Sequence, residues 1–236
     1  MVVRHLHYPV DGLVDGVHGP GAGSGGGRGR AVDGGDRGAR GDVVHTGEPA
    51  VPQVDLLTEA AQAVQRSAFP EAYADHEDDA RALASALTGN SRAAFHCEVP
   101  GTAEAADARL GGNGLTPRAE DVRAEAVAVF GPLSLGGFAP GGVRDGHIPG
   151  STHYDGRAVD IFFRPISDAS RTRGWAVASY LVAQAERLSI QTIIFDAKIW
   201  TARRSDEGWR RYDSPDRPGD PDVLAHRDHV HVDVFS

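Results

Sequence analysis

A single cysteine, Cys97, in 236 residues rules out an internal disulfide and any zinc finger built on several thiolates. Cys97 is expected as a small buried apolar residue, and only His96 beside it argues for a nucleophile. Positive charge is also in short supply. The 24 Lys and Arg residues stand against 33 Asp and Glu, a formal net charge of -9, where a nucleic-acid binder shows a basic face. Long apolar runs are missing, and nothing approaches the roughly 20 residues needed to span a bilayer. The opening MVVRHLHYPVDGLVDGVHGPGAG lacks the apolar core of a secretory signal. The charge balance says little about a small or peptidic substrate.

What is present falls into three stretches. Residues 1–50 are rich in glycine, as in GPGAGSGGGRGR, and are expected to be disordered because they cannot bury enough apolar surface to offset backbone entropy. Their histidines, His5, His7, His18 and His45, are too scattered for a metal-binding tail. Residues 51–90 read as a helical linker or stalk, with Pro70 separating VDLLTEAAQAVQRS from DDARALASALTG. Residues 91–236 read as the globular domain.

Within that domain Thr116-Pro117 is a helix start, and the helix, with Val122, Ala126, Val129 and Phe130 near one face, stops at Gly131-Pro132. A long Gly/Pro-rich loop, GGFAPGGVRDGHIPGSTHYDG, follows, and loops of that length in small domains tend to be functional. Next come a strand, RAVDIFF, and a helix from about Thr172 to Leu188 with Trp175, Ala178, Leu181, Val182, Ala185 and Leu188 as its core stripe. QTIIFDAKIW is β-rich, and after a polar loop the chain reaches HVHVDVF, an alternation that predicts a strand with one polar face. Helices and strands without regular βαβ spacing predict an α+β fold with a small, mainly antiparallel sheet packed against helices.

Two clusters carry chemistry. In Ser151-Thr152-His153-Tyr154-Asp155-Gly156-Arg157-Ala158-Val159-Asp160, a glycine turn lets His153 curl back toward Asp160, and imidazole plus carboxylate is half of a zinc site. In His226-Arg227-Asp228-His229-Val230-His231, an extended strand points His229 and His231 to one face, with His226 as a possible third. Several imidazoles beside one strand are poor packing material, because each needs its own buried partner. Three mixed nitrogen and oxygen ligands would leave a fourth position for water, as in catalytic zinc sites.

The combination S-x-H-x-x-G-x-A-x-D followed by H-x-x-H-x-H resembles the zinc peptidases of the lysostaphin and D-Ala-D-Ala metallopeptidase superfamily. The first motif is similar to that of D-alanyl-D-alanine carboxypeptidases and dipeptidases, the second to that of penicillin-insensitive murein endopeptidases. The stretch from about Cys97 to Phe235 is also similar to an actinobacterial domain found in exported proteins, and residues 1–90 lie outside the resemblance.

The resemblance implies that residues 91–236 form a zinc peptidase-like domain holding one Zn2+ on His153, Asp160 and His231. It implies hydrolysis of peptide bonds in peptidoglycan-type peptides by a metal-activated water, at an extracytoplasmic location. His229 takes the position of the group that activates the water; where many relatives have a Glu, this chain offers His229, Asp228 or His226. Arg144 is assigned by analogy to the cation that steadies negative charge. Lys198, Trp200 and Trp209 are candidates for a peptide or glycan groove, and Tyr154 for a place beside the metal. The competing reading keeps the metal without catalysis, as a cell-wall or ligand-binding module.

Overall fold

Each β-rich run read from the sequence forms a strand in the computed structural model, which describes residues 56–66 and 68–236. The Gly-rich stretch 1–50, expected to be disordered, lies outside the described residues. The strands are β1 (Ser134–Gly136), β2 (Ala158–Phe162), β3 (Ile190–Phe195), β4 (Lys198–Thr201), β5 (Arg210–Arg211) and β6 (His229–Val234). They make one sheet in the order β1-β2-β6-β3-β4-β5, with every pairing antiparallel. The C-terminal strand therefore runs through the middle of the sheet. Together with the helices this is a small α+β fold, as the sequence predicts. Of the two shortest strands, β5 falls in the polar loop read from sequence, and β1 lies between the stop at Gly131-Pro132 and the Gly/Pro-rich loop, where no element was expected.

Five helices are described: α1 (Leu56–Gln65), α2 (Glu77–Leu87), α3 (Pro117–Phe130), α4 (Asp168–Ala183) and the single turn α5 (Pro221–Leu224). Pro70 opens a 3-10 turn between the first two. Residues Asp75–Ser236 belong to one compact unit, in which α2 buries Ala82 and Ala86 and packs on α4. None of the described helices is long and apolar enough to cross a membrane.

α3 has the expected boundaries but a different interior. Pro117 occupies the first turn, where its missing N–H is harmless. Thr116 makes no side-chain cap bond, and its buried hydroxyl has no partner among the described residues. The helix buries Ala119, Val122 and Ala126, while Val129 is exposed at 48 %. α4 begins at Asp168 rather than Thr172 because the Ser167 hydroxyl accepts from the Ser170 N–H at 3.1 Å and caps it earlier. Its stripe, Trp175, Ala178, Leu181 and Val182, is buried as expected; Ala185 and Leu188 lie in the turns beyond the helix and are buried too.

One face of the sheet meets these helices. Val159 and Ile161 of β2, Val230 and Val232 of β6, and Ile193 of β3 form a continuous apolar core with α3 and α4. Trp200 pairs with Ile193 on this same face and is fully buried, so it is a core residue and no part of a groove. Trp209 is likewise an anchor, donating its indole N–H to the Phe95 carbonyl at 2.8 Å and meeting Trp175 edge to face at 5.0 Å. The β3–β4 turn places Asp196 and Ala197 at φ 49 and 59, the pair of positive φ values that matches the twist of a two-residue hairpin.

Candidate metal centre

The other face of β2 and β6 is built by strand register. Asp160 stands opposite His231, Phe162 opposite His229, and Ala158 opposite Asp233. Directly opposed residues share a face, so the valine–isoleucine alternation that builds the core turns these polar groups together on the far side. His153 arrives from the turn between β1 and β2, where the Gly156 N–H donates to the His153 carbonyl at 3.1 Å and Gly156 takes φ 65. Four of these ionisable groups, His153, Asp160, His229 and His231, are all under 9 % exposed.

Three ligand atoms then converge. His153 Nε2 lies 3.0 Å from His231 Nδ1 and 3.2 Å from Asp160 Oδ1, and His231 Nδ1 lies 3.1 Å from the same oxygen. Ligand bonds of about 2.0–2.2 Å at tetrahedral angles separate ligand atoms by about 3.3–3.6 Å, so a few tenths of an ångström of opening would admit an ion. The far ring nitrogens are held outward. His153 Nδ1–H donates to the Gly137 carbonyl at 2.7 Å, and His231 Nε2–H donates to Asp233 Oδ2 across a long 3.4 Å. Those bonds leave two lone pairs and a carboxylate oxygen facing one point, an arrangement that repels itself unless a cation or a proton occupies it. His153, Asp160 and His231 together can hold a metal ion.

Without a cation the charge balance is visible in the acidities. Burial alone would push the Asp160 carboxyl up, but the bonds from His153 and His231 outweigh it and hold it far below the usual carboxylate range. Burial disfavours a charged His231, yet the bonds to Asp160 and Asp233 win and raise its pKa to about 9.

Beside the triangle, His229 Nε2 is 3.8 Å from Asp160 Oδ1, and its Nδ1 is 2.7 Å from Asp228 Oδ1. Asp228 is thus behind His229 and not behind either candidate ligand; Asp233 is the carboxylate behind His231. The ring of His226 lies 4.6 Å from that of His229, and its Nδ1 is buried without a hydrogen-bond partner among the described residues. Burial first, and then the charges of His231 and His229, lower its pKa to about 3. His147, which the sequence reading did not single out, stacks on His153 with ring centres 4.0 Å apart. Burial, reinforced by His153, lowers its pKa to about 4. Tyr154 fixes it there, its hydroxyl donating to the His147 carbonyl at 2.7 Å and accepting from the His147 N–H at 3.0 Å.

The group sits in a cleft of about 470 Å³, floored by the candidate ligands and flanked by Ile148, Tyr212 and Val223. Two guanidinium groups line it, Arg164 and Arg217. Arg144 is exposed on the preceding loop and is not among the lining residues, nor is Lys198. Arg217 follows a Pro-rich segment without local periodicity, so nothing in the sequence marked it. The carbonyl of Gly137 was equally invisible, although its role can be seen in the backbone. Gly137 has φ +78, and a Cβ there would meet His153 Cε1 at 2.3 Å.

The fold and site therefore define an α+β domain with a candidate three-ligand metal centre at the floor of a cleft. A family model described as VldE, C-terminal domain, matches residues 111–222. The match takes in His153 and Asp160 and stops before the strand that carries His229 and His231. No curated protein and no solved structure matches the chain.

Proposed function

We propose that this protein is a zinc-dependent hydrolase that cuts peptide bonds in peptidoglycan-type peptides through a metal-activated water. The convergence of three ligand atoms within 3.0–3.2 Å of one another at the floor of a cleft carries the reading. Two imidazoles and one carboxylate are a donor set that suits zinc and leaves a coordination position open. A bound zinc ion would supply Lewis acidity and lower the pKa of a water toward neutrality.

The chain's own residues would do the rest. His153 and His231, oriented by the Gly137 carbonyl and Asp233, present the ring nitrogens that hold the ion. His229 Nε2 would accept the proton of the attacking water and return it to the leaving amine, a role supported by Asp228 holding its other nitrogen. Phe162 and the apolar rim at Ile148 and Val223 exclude bulk water from a bound chain. Arg217 is the cation placed to receive a substrate carboxylate, the role assigned from sequence to Arg144. The substrate class rests on the resemblance of the two motifs to cell-wall peptidases.

The test has two arms. Purified protein should contain zinc, and His153→Ala should lose it. Zinc-loaded protein should release muropeptides from peptidoglycan, and His229→Ala should lower that rate by about 10²–10⁴-fold while keeping the metal. Zinc binding with no release by the unaltered protein would reject the hydrolase in favour of a metal-containing binding module. Failure to bind zinc or any related ion would reject both.

A further inference from the structure

The carboxylate of Asp228 divides its two oxygens between two partners. Oδ1 pairs with His229 Nδ1 at 2.7 Å, while Oδ2 accepts from Arg164 Nε at 2.7 Å and Nη2 at 2.5 Å. The guanidinium carbon stands 4.2 Å from the centre of the Phe162 ring, and Phe162 is the strand residue directly opposite His229. The backbone closes the same corner, with the Phe163 N–H donating to the Asp228 carbonyl at 2.8 Å. A guanidinium carries donors only, so it dictates which way any group at position 228 must face.

We propose that Arg164 is a positioning residue that, through Asp228, fixes His229 in the tautomer with hydrogen on Nδ1 and the lone pair on Nε2 turned toward the ligand triangle. This rests on the reading of His229 as the base. A simple tether between strand ends would need only opposite charges, whereas a device that sets the tautomer has a polarity, and polarity can be reversed. In Asp228→Asn the amide oxygen must face Arg164, because two sets of donors cannot meet. The amide NH2 then points at His229 Nδ1, which becomes the acceptor, and the ring hydrogen moves to Nε2. Adding Arg164→Met removes the demand, and the amide can turn its oxygen back to Nδ1–H. The second substitution thus repairs the first, where two losses from a tether would only accumulate.

The experiment uses the full-length zinc-loaded protein with 15N-labelled histidine, and long-range 1H–15N correlations at alkaline pH read the His229 tautomer. The unaltered protein should show Nδ1–H, Asp228→Asn should show Nε2–H, and Asp228→Asn/Arg164→Met should return to Nδ1–H, with zinc content constant throughout. Muropeptide release should fall about 10²–10⁴-fold in Asp228→Asn and recover at least about tenfold in the double variant. Retention of Nδ1–H in Asp228→Asn, or a double variant identical to the single one, would overturn the inference. If Asp228→Asn does not fold, Arg164→Met alone decides: the carboxylate still keeps hydrogen on Nδ1, but released from the guanidinium it should let the Nδ1–H exchange with solvent at least about tenfold faster and lower muropeptide release by about tenfold or more, and unchanged exchange and release would remove the role. Tautomers that switch in a protein without hydrolysis would reject the peptidase and leave the positioning role standing. Hydrolysis without a switch would do the reverse.

Discussion

The same two central strands present two dry faces of opposite chemistry. On the helix side Val159, Ile161, Val230 and Val232 are 0–1 % exposed, and on the cleft side Asp160, His229, His231 and Asp233 are only 6–8 % exposed. Burial on the first face stabilises the fold at about 25 cal/mol per Å² of apolar surface. Burial on the second costs free energy unless every polar atom finds a partner. One face therefore supplies stability, and the other consumes some of it to hold a site. The cleft side is not fully paired even so, since Asp233 Oδ1 and His226 Nδ1 are buried with no hydrogen bond among the described residues.

The largest effect should come from breaking the first face. Trp175 is 1 % exposed, meets Phe195 and Trp209 edge to face, and donates to Asp196 at 3.2 Å. Trp175→Ala should cost about 3–5 kcal/mol, a fall in melting temperature of roughly 6–20 °C for a domain of this size. The loss should be the same with and without metal. A loss below about 1 kcal/mol by thermal or urea unfolding would mean that this face is not where stability resides.

Asp160→Ala breaks the second face and should separate the two. Metal content should fall to background, and the stabilisation by added zinc, about 2.7 kcal/mol at a hundredfold excess over Kd, should vanish. The metal-free variant should still fold, since Asp160 belongs to the face that does not supply the core. Chelation of the unaltered protein should remove the same zinc-dependent stabilisation. If Asp160→Ala binds zinc as before, the candidate centre is misassigned.

What the sequence made legible follows the same division. Strict alternation in HVHVDV assigned both faces of β6, because period two survives any register. The start of α3 was legible from Thr116-Pro117, yet the expected hydroxyl cap does not form, since Thr116 Oγ1 is buried without a partner among the described residues. The three candidate ligands could be found because each sits in a motif with local spacing. Their supports could not. The Gly137 carbonyl, the stacking of His147 on His153 and the contact of Arg164 with Asp228 join residues 16, 6 and 64 positions apart through loops and strand ends, where no periodicity operates. The strands β1 and β5 are three and two residues long, too short to show alternation.

Gly137→Ala tests one of those hidden supports. The added Cβ would fall 2.3 Å from His153 Cε1 and 2.9 Å from Asp160 Oδ2, so the imidazole must move away from the point where the ligand atoms meet. Loss of the hydrogen bond that orients a ligand histidine usually weakens metal binding about 10–100-fold. Competition titration against a chelating dye should show that loss, with a smaller change in melting temperature of the metal-free protein than Trp175→Ala gives. Equal damage to both quantities would mean that the substitution disturbs the fold and not the site.

The smallest and most discriminating contrast lies between two exposed arginines. Arg217 lines the cleft, is exposed, and forms no ion pair among the described residues, so its removal should leave stability nearly unchanged. If it receives a substrate carboxylate, Arg217→Ala loses a charge-assisted hydrogen bond, and kcat/KM for muropeptide release should fall about 10–100-fold, mainly through KM. Arg144 is exposed outside the cleft lining, and Arg144→Ala should leave metal content, stability and kcat/KM unchanged within about 0.5 kcal/mol. The reverse pattern, with Arg144 sensitive and Arg217 silent, would return the charge-binding role to the loop residue and require that loop to close over the cleft when substrate binds.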